Sequence, residues 1–156
     1  MQQTAPAAPP AGSGYRYWRF LIQSCNGAGA TGLEEIELRL TPGGATITAP
    51  GMPTAESSFA QTYQKGDSVI NQINGSGIAG ARWQATGNTN QWVAIDLGAP
   101  ASPVELAYLP SQDAITRSPK NYVIQGSNEG LTGPWADIKS STTGPRSLAW
   151  QVISLI

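Results

Sequence analysis

The sequence predicts an all-β protein with the architecture of an antiparallel β-sandwich. Short segments rich in apolar and aromatic residues recur along the chain, and clusters of Gly, Pro, Asn and Ser separate them. Almost no segment shows the 3.6-residue periodicity of an amphipathic helix. No internal repeat indicates a propeller or a solenoid. Because 156 residues are enough to bury one hydrophobic core, we expect one folded domain.

The first residues of the chain differ from the rest. Residues 1–14 are rich in Pro and Ala and show no periodicity, so we interpret them as an extended arm or linker. Residues 15–156 are predicted to form the sandwich domain. The start of the chain has neither the positive nor the apolar region of a signal peptide, so we expect no export through a cleaved signal.

The first two predicted strands are the clearest. Residues 16–23 place large apolar side chains at every second position, which is typical of a strand with both faces partly covered. Residues 33–40 alternate more strictly. There the pattern predicts a core face of Ile36, Leu38 and Leu40 and an opposite face, towards solvent or a site, of Glu35, Glu37 and Arg39.

The middle of the chain is broken by Gly and Pro. Residues 41–65 are therefore predicted to form turns and short strands, and residues 66–87 to be irregular with one helical turn near 68–73. The pattern then returns to strands separated by polar turns. These strands are predicted at residues 91–97, 104–109, 120–125, 135–139 and 148–155.

Composition excludes several classes of function. A net charge of −1 with 12% charged residues provides no basic surface for nucleic acid, and no apolar run approaches the length that membrane insertion requires. The chain has one cysteine, Cys25, and no histidine, which excludes an intrachain disulfide, Cys/His zinc sites and His-activated nucleophiles. The acidic residues form no evident catalytic pair, and the Gly clusters lack a phosphate-binding Lys. We therefore do not expect the protein to be an enzyme.

Two segments resemble the signature of the discoidin type domain, also called coagulation factor type C or galactose-binding-like. They are residues 91–98 (QWVAIDLG) and residues 122–128 (YVIQGSN), the second followed by Trp135. The resemblance implies a galactose-binding-like jelly roll that binds sugars and cell surfaces. Residues 15–19 (YRYWR) and 32–38 (GLEEIEL) are similar to a motif pair in discoidin-like domains of tailed-bacteriophage structural proteins.

The resemblance also implies a structural calcium ion. Its ligands would come from the second strand and from the loop at residues 73–83, and the matching candidates are Glu35, Asn74 and Ser76. Asn74 stands where the family has Asp, which removes an anionic ligand and should weaken binding. Alternatively, Glu35 faces solvent, and Asn74 with Gly75 forms a turn because Asn tolerates left-handed geometry.

The resemblance also implies that a ligand binds to loops at one end of the sandwich. The candidates in this sequence are Tyr63, Gln64, Asn90 (or Asn88), Gln112, Asp113 and Arg117. Arg and Asp on one loop could bind hydroxyls or a sugar acid. Alternatively, the loop is solvated and carries a local ion pair between Asp113 and Arg117. The five Trp residues are better explained as core than as sugar-stacking surfaces.

Two non-enzymatic functions remain. The first is a virion structural protein that carries a discoidin-like carbohydrate-binding module, made in the host cytoplasm, displayed on a bacteriophage particle and helping adhesion to host-surface glycans. Its partners would be a cell-surface glycan and other virion proteins, in a homo-oligomer or a multi-copy assembly. The alternative is a purely structural phage component, a decoration, collar, baseplate or fibre-attachment protein, whose N-terminal arm docks on a neighbouring subunit.

Overall fold

Two antiparallel sheets form the described part of the protein, residues 14–156 of a computed structural model. The predicted arm at residues 1–14 lies outside this part, except for Gly14. The strands are β1 (Tyr15–Cys25), β2 (Gly32–Arg39), β3 (Thr54–Glu56), β4 (Trp83–Gln84), β5 (Thr89–Ala101), β6 (Glu105–Pro110), β7 (Pro119–Ser127), β8 (Ala136–Ser141) and β9 (Gln151–Ser154). One sheet has the order β3-β5-β1-β7-β8 and the other β4-β2-β6-β9. The prediction of an all-β sandwich is confirmed.

The core lies between the two sheets. Strand β1 is central in the five-stranded sheet and pairs with β5 and β7 along most of its length. Its alternation turns Trp18, Phe20 and Ile22 inward, where all three are buried. The ring centroids of Tyr108 and Tyr122 lie 5.4 and 5.0 Å from that of Phe20. Each fully buried ring stabilises the fold by ~1.5–3 kcal/mol, so this cluster holds the sheets together.

Strand β2 follows only part of its predicted pattern. Ile36 and Leu38 are buried as predicted, whereas Leu40 is 50% exposed, so its assignment to the core was wrong. The strand ends at Arg39, and Thr41 begins a turn in which its carbonyl accepts from Gly44 N at 3.0 Å. The side chain that follows the strand therefore leaves the sheet.

The two glutamates at positions 34 and 35 are both buried, although the alternation placed Glu35 on the polar face. Glu34 has 0% and Glu35 4% of its surface exposed. A register irregularity in the pairing of β2 with β6 falls between Leu33 and Glu35 and interrupts the alternation. The expectation that Glu35 faces solvent is therefore wrong.

The later strands deviate at their ends. Strand β9 is shorter than predicted, and Trp150, which precedes it, is 38% exposed rather than part of the core. The assignment of Trp92 and Trp135 to the core was also wrong, because both are only half-buried; in β5 the alternation turns Val93 and Ile95 inward instead of Trp92.

The described residues contain two short helices. The predicted helical turn is a 3-10 helix at Gly66–Ile70, and a second 3-10 helix at Ile115–Arg117 was not predicted. Within residues 14–156, no helix is long and apolar enough to cross a membrane.

Several connections meet at one end of the sandwich, because β1 and β6 end there while β2, β5 and β7 begin. Backbone hydrogen bonds join them, from Asn26 N to Ser118 O at 3.1 Å and from Thr31 N to Gly87 O at 2.9 Å. We call this end the loop end. It comprises residues 26–31, 57–65, 71–82, 85–88, 111–118 and 142–150.

Candidate functional site

Two arginines share one carboxylate at the loop end. Arg82 Nη2 lies 3.1 Å from Asp113 Oδ2, and Arg117 Nη1 contacts the same oxygen. The other oxygen, Asp113 Oδ1, accepts a hydrogen bond from Ser111 Oγ at 2.6 Å. We call Arg82, Asp113 and Arg117 the arginine cluster. Two positive charges against one negative leave it with a net charge of +1.

Local folding positions each member of the cluster. Trp83 is fully buried and donates from Nε1 to Ser58 O at 2.9 Å, which fixes the backbone next to Arg82. On the other side, Arg117 ends the second 3-10 helix, four residues after Asp113. Arg117 N donates to Ala114 O at 3.0 Å, and this tight turn brings the Arg117 side chain back to Asp113.

The surroundings of Asp113 favour its charged form. Burial alone would raise the pKa of this carboxyl. The hydrogen bond from Ser111 and the charges of Arg82 and Arg117 outweigh burial and hold the pKa below its ordinary value. Asp113 is therefore ionised at neutral pH and orients both guanidinium groups.

An open cavity of about 230 Å³ lies beside the cluster. Its lining consists of Tyr63, Gln64, Gly77, Ile78, Ala79 and Arg82. Tyr63 is 53% and Ile78 46% exposed, so an aromatic and an aliphatic surface stand next to hydrogen-bonding groups. Gln84 links the two polar side chains of the lining, since its Oε1 accepts hydrogen bonds from Gln64 Nε2 at 3.4 Å and from Arg82 Nε at 3.1 Å. The lining therefore places hydrogen-bonding groups next to an apolar surface.

The two buried glutamates of β2 hold the loops that border this cavity. Glu34 Oε2 accepts from Gly75 N at 2.9 Å, and its Oε1 accepts from Gln112 N at 3.1 Å. Glu35 Oε1 accepts from Gln72 N at 3.2 Å. Burial raises the pKa of Glu35 to about 8; the bond from Gln72 opposes this effect, while the nearby Glu37 and Glu34 add to it.

A model of a protein family matches more than half of the chain. Its description is "NedA-like, galactose-binding domain", of the factor 5/8 type C kind, and it covers residues 71–155. The chain belongs to this family. The resemblance to discoidin type, galactose-binding-like domains is thereby confirmed. Neither the curated proteins nor the solved structures gave a match.

The galactose-binding-like domain brings four of the predicted ligand residues into one region. Tyr63 and Gln64 line the cavity, while Asp113 and Arg117 adjoin it through Arg82. The ion pair between Asp113 and Arg117, the alternative interpretation, is present.

The other two predicted ligand residues lie apart from the cavity. Gln112 uses its amide Nε2 to donate to Pro110 O at 3.0 Å and to Leu148 O at 2.8 Å, so it braces the loop end. Asn90 is exposed with φ 51°, and none of the hydrogen bonds of residues 14–156 joins it to the other candidates.

Sequence reasoning missed Arg82 and Gln84. Both flank Trp83, whose burial was predicted. Alternation in a strand turns the neighbours of a buried residue to the opposite face, and this was the available signal.

The loop opposite Glu35 offers mostly neutral oxygen ligands. The amide of Asn74 lies 3.2 Å from Glu35 Oε2 and 3.1 Å from Ile73 O, and with its nitrogen inward it donates to both. With its oxygen inward, the Asn74 amide oxygen, Ile73 O and one oxygen of the buried Glu35 carboxylate would give three oxygen ligands, the ligand type that calcium prefers. Ser76 is exposed. No three His, Cys, Asp or Glu side chains form a metal cluster in residues 14–156, so a calcium ion would take its other ligands from carbonyls and water.

The predicted turn at Asn74 differs in detail. The non-glycine residue of this loop with left-handed geometry is Gln72, at φ 62°, rather than Asn74. Its N–H points to Glu35, and Gly75, at φ 138°, presents its N–H to Glu34. The loop conformation therefore serves the two buried carboxylates.

Proposed function

We propose that this domain binds carbohydrate at the loop end, in the cavity between Tyr63 and Arg82. The observation that carries the proposal is the side-by-side arrangement of an exposed aromatic ring, an exposed aliphatic side chain and the arginine cluster. Membership of a family described as galactose-binding supports the ligand class.

The geometry supports a simple mode of binding. The ring of Tyr63 packs against the C–H face of a sugar, since aromatic surfaces bury large apolar area. Gln64 and Arg82 donate to its hydroxyls, and Asp113 keeps Arg82 in position. None of the residues that line the cavity is Asp or Glu, so the cavity lacks the carboxylate pair that glycosidases use. The proposed role is binding without catalysis.

A matched pair of variants tests the site. We expect Arg82→Ala to weaken binding to a glycan array by about tenfold or more, equivalent to roughly one charge-assisted hydrogen bond. Arg146→Ala is the control, because Arg146 is an exposed cation of residues 142–150 at the same end. Loss of binding in both variants would indicate a general charge effect. Unchanged binding in Arg82→Ala would contradict the proposed site.

We also propose that the domain is part of a tailed-bacteriophage particle and helps it adhere to host-surface glycans. The support is the similarity of residues 15–19 and 32–38 to motifs of phage structural proteins. On this proposal the chain is made in the host cytoplasm and assembled with other virion proteins in several copies. Mass spectrometry of purified particles tests it, and a chain found only in the unassembled lysate fraction would contradict it.

A purely structural role in the particle is the second candidate. It is favoured by exposed apolar side chains in and next to the edge strand β9, with Trp150 38% and Val152 55% exposed. A contact along this edge would bury them against a neighbouring subunit. Val152→Lys should then reduce incorporation into particles while glycan binding is unchanged. Normal incorporation of the variant would contradict this role.

Calcium as a structural brace is a further part of the proposal. Glu35, Asn74 and the carbonyl of Ile73 would hold the ion, and its charge would balance a buried carboxylate. Added calcium should raise the melting temperature of the wild type, and a chelator should reverse this. Glu35→Gln should remove the response. A melting temperature that calcium leaves unchanged would contradict the brace.

A further inference from the structure

The outer face of the five-stranded sheet carries a charge at its centre. Because β1 turns Trp18 and Phe20 inward, its alternate residues Tyr17 and Arg19 point away from the core. Strand β1 is the middle strand of this sheet. Arg19 therefore stands in the middle of a sheet face, whereas long cations are common on edge strands.

Two indole rings flank this arginine. Arg19 Cζ lies 4.7 Å from the ring centroid of Trp135 and 5.5 Å from that of Trp92. Its Nε donates to Gln125 Oε1 at 2.7 Å, and Gln125 Nε2 donates to Asp137 Oδ1 at 2.6 Å. We call Arg19, Trp92, Gln125, Trp135 and Asp137 the Arg19 platform. Its members come from four different parts of the chain, so the fold assembles it.

The platform has unused hydrogen-bond donors. Within residues 14–156, Arg19 makes one side-chain hydrogen bond, through Nε, and has no carboxylate within 4.0 Å. In the same part of the chain, the buried Nε1 of Trp135 has no acceptor. Half-buried arginines normally use their planar fork on a carboxylate or phosphate. Burial also lowers the pKa of Arg19, which the charge of Asp137 only partly opposes.

We propose that the Arg19 platform is a second carbohydrate site, separate from the loop end, and that it takes a sugar unit bearing a carboxylate. The free edge of the guanidinium would pair with the carboxylate, and the indoles would contact the C–H surface of the ring. A neutral sugar would leave the charge of Arg19 uncompensated. The ligand class, carbohydrate, rests on the proposed function, whereas the place and the charge preference rest on the platform itself.

The test uses the full chain labelled with ¹⁵N and two trisaccharides of equal length, one of galacturonic acid and one of galactose. We expect the acidic trisaccharide to shift the indole N–H resonances of Trp135 and Trp92. The resonance of Trp83 should not move, because Trp83 is fully buried and donates to Ser58 O. Equal shifts at the platform with the neutral trisaccharide would overturn the proposal.

Two substitutions within the platform should act in opposite directions. Arg19→Lys keeps the charge but loses the fork, and we expect about tenfold weaker binding of the acidic trisaccharide. Asp137→Asn removes the nearby negative charge from an exposed position, and we expect binding to become about two- to threefold tighter. Unchanged affinity in Arg19→Lys would overturn the site.

Two further measurements separate this proposal from its alternatives. Arg82→Ala should leave the platform shifts intact, and their loss would show that the acidic sugar binds at the loop end instead. Binding of neutral galactose at the loop end is read independently, so failure of one site leaves the other testable. A triglutamate peptide that shifts Trp135 as strongly as the acidic trisaccharide would overturn the choice of a sugar and indicate an acidic protein segment.

Discussion

Substituting Glu34 by Gln tests how the loop end is held. The side chain of Glu34 is fully buried and reaches two loops, accepting from Gly75 N at 2.9 Å and from Gln112 N at 3.1 Å. Gln has nearly the same shape but only one acceptor oxygen. Its NH₂ group would therefore face a backbone N–H, and one of the two loops would lose its partner.

The cost can be worked from these contacts. A hydrogen bond to a charged group stabilises the fold by ~1.5–3 kcal/mol, and the substitution removes one such bond. The backbone N–H left buried without an acceptor costs ~1–3 kcal/mol. We therefore expect Glu34→Gln to lower the free energy of unfolding by roughly 2–4 kcal/mol. For a domain of this size, that change lowers the melting temperature by about 5–15 °C.

Denaturant titration of both proteins, followed by intrinsic tryptophan fluorescence, measures the change. Glu37→Gln is the matched control, because Glu37 lies on the same strand but is partly exposed and pairs with Arg39 at 2.9 Å. Such a pair contributes ~0–1 kcal/mol, so the control should stay near the wild type. A Glu34→Gln variant within ~0.5 kcal/mol of the wild type would refute the bracing role, since this is the range of a neutral surface change.

Further outcomes follow from the packing and charges. Gly126→Ala should lower the free energy of unfolding by ~1–3 kcal/mol, because the added methyl group would overlap the ring of Tyr15; Gly29→Ala, which meets nothing within 4 Å, should be neutral in the same denaturant titration. The folded pKa of Asp113 lies below its ordinary value of 3.8, so its contribution to stability is complete above that value and is lost as the pH falls through the lowered pKa. Glycan binding at the loop end should therefore be steady from pH 7 to about 4 and decrease below it. A decrease already at pH 6 would contradict this assignment.

The sequence predicted what local pattern and spacing determine. Alternation in residues 16–23 predicted the strand that contains Phe20, and the family motifs identified the sandwich. The ion pair of Asp113 with Arg117 was foreseeable from a spacing of four residues on one loop. These features need no knowledge of distant partners.

The features of the fold and of the site that the sequence did not predict depend on contacts between distant parts of the chain. The burial of Glu35 follows from an irregularity in β2 and from a loop 37 residues away, neither of which leaves a periodic signal. Arg82 lies 31 residues before Asp113 in sequence, and its role is visible only when β4 and the loop after β6 are placed together. Trp92 is a large apolar residue of the kind that usually lies in a core, but its position in β5 turns its side chain outward.

The most direct test of the central claim is to locate galactose on the protein. Backbone resonances of the ¹⁵N-labelled full chain, followed as galactose is added, report which residues the sugar contacts. The proposed function predicts saturable shifts at residues 63–64, 77–82 and 111–117, and their loss in Arg82→Ala. Saturable shifts confined to other parts of the sandwich, or no shift at any residue across an array of sugars, would contradict it.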